Sequence, residues 1–192
     1  VTLKRSIYSK QTFGTVLVCY FRSLSKKRST EVKTTILNCI WLLLPIMAWN
    51  WFLTNKLPRA YTAEVFDRDI PSFIVNGENI FRAIVFILPL LMPLRIETQT
   101  QKLGLWLYIP GTLIYFLSWL AQIYFPQSTW SLSAFGFLAP AYTALIWLIG
   151  IGLIGNTFYF QSPYRSWMYS VTAVIFIGFH LSHTTTVYLR NF

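Results

Sequence analysis

Acidic residues are scarce in this chain: six Asp and Glu stand against sixteen Lys and Arg. None of the six falls within its five long apolar runs, 36–53, 80–94, 103–125, 133–155 and 167–189, where Arg82 is the one charge. Cysteine is nearly absent. Cys19 and Cys39 form no CxxC pair, which excludes a disulfide framework and a dithiol redox centre. With two histidines and no carboxylate inside the apolar runs, a metal site of three or four membrane-embedded ligands is not expected, and neither is a cofactor. A P-loop is missing, so the chain does not drive transport by itself. No Ser, Cys or Thr has a base at a known nucleophile spacing. The apolar stretch 16–21 is too short for a signal peptide and lacks a small-residue cleavage site, so the first apolar run is expected to act as the insertion signal.

Hydrophobicity is abundant: 55% of residues are apolar and 18% aromatic. A helical crossing of the hydrocarbon core takes roughly 20 apolar residues. All the runs but 80–94 approach or exceed that length. The expected fold is therefore an all-α membrane protein, a polytopic bundle of about five transmembrane helices. Pro45, Pro89, Pro110 and Pro140 fall in the first four runs, and several of these helices are expected to kink around an internal cleft. The bundle occupies 34–192, with a longer outer loop at 54–79. Trp and Tyr near the ends of the runs, such as Trp51, Trp106, Tyr124 and Trp167, suit the membrane interface.

Residues 1–33 form a basic arm. Phe13, Val16, Leu17, Tyr20, Phe21 and Leu24 recur at helical spacing, which predicts an amphipathic helix over about 12–25 lying in the interface. Arg22, Lys26, Lys27, Arg28 and Lys33 directly precede the first run and are expected to contact anionic lipid. By the positive-inside rule this flank is cytoplasmic, and five crossings place the C-terminus outside. The expected location is a bacterial inner (plasma) membrane. Groove-reading motifs are absent, so the net charge of +10 points to membrane lipids rather than nucleic acid.

Gly104, Gly111 and Ser118 repeat every seven positions, and Gly150, Gly152 and Gly155 crowd the end of the fourth run. The latter match GxGxxG literally, but no strand precedes them, so helix packing is their expected role.

Two groups of residues carry candidate chemistry. His180 and His183 share one face of the last run, as ligand or catalytic candidates or as hydrogen-bonding groups across the bundle. Glu64, Asp67, Asp69 and Glu78, with Arg82 close by, are assigned to the outer loop as a ligand or partner surface. Glu64 and Arg68 fit an i, i+4 pair if 60–69 is helical, with Pro71 ending that helix. These observations suggest a non-catalytic subunit of a larger membrane complex with other membrane protein subunits as partners. The alternative is a membrane-embedded enzyme or carrier component for a lipid-like substrate that uses His180 and His183.

Overall fold

The computed structural model describes residues 37–160 and 163–192. The predicted arm helix and the basic residues Arg22, Lys26, Lys27, Arg28 and Lys33 of the arm lie outside the described residues.

Among the described residues the architecture is all-helical, and the bridge between Asn38 and Pro93 is isolated, outside any strand. Four helices among these residues are long and apolar enough to cross a membrane: Ser72–Leu91, Gln99–Tyr124, Ala134–Ile154 and Ser166–Asn191. At ~1.5 Å per residue each covers the ~30 Å hydrocarbon core. Large apolar side chains cover their outer faces; Trp106 is 77% and Leu117 62% exposed. An exposed apolar belt of this extent belongs against lipid rather than water.

In chain order the helices are α1 (Leu44–Leu53), α2 (Ala63–Phe66), α3 (Ser72–Ile87), α4 (Gln99–Tyr124), α5 (Thr129–Leu132), α6 (Ala134–Tyr142), α7 (Ala144–Ile154) and α8 (Ser166–Asn191). Where the sequence suggests one helix over 36–53, the α-helical part is α1, flanked by 3-10 turns at Cys39–Leu42 and Thr54–Lys56. Pro45 sits in the first turn of α1, where its missing N–H costs nothing. The segment runs parallel to α4. Tyr108 donates to the Leu42 carbonyl at 2.7 Å, Tyr115 to Asn50 at 2.7 Å, and Trp49 stacks on Phe116 with ring centroids 4.0 Å apart.

A second difference concerns the loop assigned to 54–79. It stops at Pro71, and α3 starts at Ser72, well upstream of the apolar run at 80. Pro71 therefore precedes a helix instead of ending one. The expected helix over 60–69 reduces to a 3-10 turn at Arg59–Tyr61 and the single turn α2.

The prolines leave carbonyls without helical donors, and the bundle answers two of them with side chains. Pro140 lies inside α6, so the Gly136 carbonyl loses its i+4 partner; Gln122, 2% exposed on α4, donates to that oxygen at 2.7 Å. Pro89 lies in the 3-10 turn Leu88–Leu91 that follows α3, and this frees the Val85 carbonyl. Tyr169, fully buried on α8, donates to it at 3.3 Å. Pro110 sits within the long helix α4.

Small residues set the closest seam. A Cβ on Gly104 would meet the Gly150 carbonyl oxygen at 2.7 Å, and one on Gly150 would meet the Tyr108 nitrogen at 2.7 Å. Helices α4 and α7 therefore touch backbone to backbone, which only glycine permits. The core around this seam is built from Tyr108, Tyr115, Trp119, Trp147, Leu148, Ile151 and Ile154.

A buried carboxylate between two histidines

Helices α3 and α8 pack with Gly77 against the Phe179 ring, where a Cβ would come within 2.5 Å of the ring carbons. This close approach brings the next residue, Glu78, level with the histidines of α8. Glu78 is 1% exposed. Its Oε1 lies 2.9 Å from His180 Nδ1 and its Oε2 lies 2.6 Å from His183 Nδ1. Arg82, one turn along α3, donates to Oε1 as well. One carboxylate is thus held by three partners, two of them on another helix.

The sequence assigns Glu78 to an outer loop and finds no carboxylate inside a membrane run. Both expectations are corrected: Glu78 lies inside the apolar helix Ser72–Leu91, buried. The physical reason is mutual. A lone carboxylate in an apolar interior is too costly to keep, whereas three charge-assisted hydrogen bonds offset its lost hydration.

The remaining sites of the cluster come from the connecting segment. The Phe66 carbonyl at the end of α2 lies 3.1 Å from His183 Nε2, and the Phe66 ring stacks on the His183 ring at 4.4 Å. Asp67 follows, with Oδ1 at 3.8 Å from the same Nε2. Arg190, in the last turn of α8, ties this segment down by donating to the Val65 and Arg68 carbonyls. Tyr61 donates to the Phe137 carbonyl at 2.7 Å, and burial pushes its phenol up from the usual range. Glu64 and Asp69 stay exposed and outside the cluster; Arg68 pairs with Asp69 at 3.7 Å instead of with Glu64.

A cleft adjoins the cluster. Two neighbouring cavities of about 350 Å³ and 290 Å³ share Arg82, Tyr115, Trp119, Pro140 and His180 in their walls. The first extends towards Thr54, Leu57, Tyr61 and Phe66, and the second reaches Ile46, Asn50, Phe86 and Trp147 deeper in the bundle. Trp147 is buried with an indole N–H group that has no hydrogen-bond acceptor among the described residues. Such a donor calls for water or another polar partner. No family model, curated protein or solved structure matches this chain.

Of the candidate residues, His180, His183, Glu78, Arg82 and Asp67 converge. Phe66, Tyr61, Tyr115, Trp119 and Trp147 join them, and nothing in the sequence marks these five. A backbone carbonyl leaves no mark in sequence, and the aromatics resemble ordinary interface residues. The described residues form no group of three or more His, Cys, Asp or Glu suited to a metal ion.

Proposed function

We propose that this chain binds an amphiphile with an acidic head group, as a membrane-embedded carrier component or enzyme for a lipid-like substrate. The observation that carries the proposal is the juxtaposition of Arg82 and His180 in the wall of an otherwise aromatic and aliphatic cleft. The Arg82 side chain is 48% exposed although it also holds Glu78. A guanidinium can bridge two acidic groups through its several donors. An acidic head group therefore meets Arg82 and the ring of His180, while the apolar chain lies along Ile46, Phe86 and Trp147. This is the balance of apolar wall and few polar anchors that small-molecule sites use.

The finer topology belongs to the same proposal. Segment 39–56 follows α4 from Tyr108 past Phe116. Summed over its α and 3-10 turns it extends ~29 Å, enough for a fifth crossing. Five crossings put the termini on opposite faces. The basic arm then lies in the cytoplasm of a bacterial cell, the C-terminus outside the inner membrane, and the Glu78 cluster toward the outer face.

Native mass spectrometry of particles gently extracted from native membranes tests this reading. The expected result is the chain carrying a bound amphiphile that Arg82→Gln loses. A stoichiometric complex with other proteins, with no small-molecule adduct on the chain, would sink the proposal in favour of a non-catalytic subunit.

A further inference from the structure

The hydrogen-bond roles around Glu78 place a proton. A carbonyl can only accept, so the Phe66 oxygen at 3.1 Å requires a hydrogen on His183 Nε2. The other ring nitrogen, Nδ1, lies 2.6 Å from Glu78 Oε2. Two bare acceptors do not approach so closely, so a proton lies between them, either on an imidazolium or on a carboxylic acid. On the other side, Glu78 Oε1 accepts from Arg82 and from His180 Nδ1 at 2.9 Å. His180 as a neutral donor through Nδ1 keeps Nε2 as a bare acceptor, and its ring lines the cleft.

We propose that His180, Glu78 and His183 form a proton relay between the cleft and the membrane surface at Asp67. An acidic group in the cleft gives its proton to His180 Nε2, and the Nδ1 proton of the same ring passes to Glu78 Oε1. His183 keeps the proton it shared with Oε2 on Nδ1 and releases its Nε2 proton to Asp67 Oδ1, now 3.8 Å away and on a side chain that is 67% exposed. One proton enters and one leaves, and the three side chains hold the same number throughout; the chain resets when rotation of the Glu78 carboxyl carries its proton from the His180 side to the His183 side and both imidazoles exchange tautomers. The anion left in the cleft stays beside Arg82. The titratable or charged groups facing the relay are Arg82 from α3, Asp67 and Tyr61 from the connecting segment, and Tyr115 from α4.

The occupant of the cleft rests on the function proposed above, but the test needs no occupant. The chain has two histidines, so uniform ¹⁵N-histidine labelling of the full chain in lipid bilayers gives two rings, and His180→Gln assigns them. The relay predicts hydrogens on Nε2 and in the Nδ1 contact of His183, with both rings shifting together in one linked step as pH is lowered. Glu78→Gln should uncouple the rings, and Asp67→Asn should slow hydrogen exchange at His183 Nε2 several-fold. A bare His183 Nδ1, or two independent titrations in the unmodified chain, would overturn the relay. Exchange at Nε2 that ignores Asp67→Asn would overturn its outlet. Because the first two readouts need no substitution beyond the assignment, a Glu78 variant that fails to fold leaves the test intact.

Discussion

Helix pairs α4–α7 and α3–α8 are both close seams in an apolar bundle, yet they are held by opposite means. The α4–α7 seam is made of what is missing: Gly104, Gly111 and Gly150 lack side chains, and the backbones meet. The α3–α8 seam also uses a glycine, Gly77, but only to seat Phe179 so that Glu78 can reach His180 and His183. One seam gains dispersion contacts over a smooth surface. The other concentrates charge in a cluster whose members are untenable apart. Packing of the first kind is structural support, whereas buried ionisable groups inside a membrane default to function.

Substitutions can break this contrast. The largest effect is expected for Glu78→Ala, which strips two imidazoles of their common acceptor. Removing one partner of a buried ionic cluster costs about 3–5 kcal/mol, measurable as loss of resistance to denaturing detergent. Gly150→Val comes next. Its new side chain collides with the Tyr108 backbone, and overpacking of this kind costs about 1–3 kcal/mol, seen as a lowered Tm with the Glu78 cluster intact.

The proline repair gives a sharper test. Gln122→Ala orphans the Gly136 carbonyl, a loss of about 1–3 kcal/mol. Adding Pro140→Ala restores a helical N–H to that carbonyl and should recover much of the loss. If the double variant is no more stable than Gln122→Ala alone, the repair account is wrong. The smallest effect is expected at Glu64, which is exposed and outside the cluster: Glu64→Gln should change stability by less than about 0.5 kcal/mol.

The apolar helices were legible from length and composition alone, because crossing a bilayer demands a long uncharged run. So was the shared face of His180 and His183, which the helical period fixes. Glu78 is masked by its neighbours. Asn76, Gly77, Glu78 and Asn79 interrupt the hydrophobic signal, and their polarity resembles a loop. Two local cues pointed the other way: Pro71 before Ser72 suits a helix start, and Glu78 with Arg82 is an i, i+4 pair. What no local cue carries is the partnership itself, since Glu78 and His180 are 102 positions apart. The proline positions were legible too, but not the side chains that answer them, since Gln122 and Tyr169 act across the bundle.

A double-mutant cycle between Glu78 and His183, using Glu78→Gln and His183→Gln with stability read by reversible detergent unfolding in bilayer mimetics, tests the central claim most directly. A carboxylate braced by this imidazole predicts strong coupling, with the double variant losing far less than the two single losses combined; neighbours in one buried network couple by about 0.5–3 kcal/mol. Losses that simply add would mean that Glu78 and His183 do not act on one another, and the cluster on which this account rests would not exist.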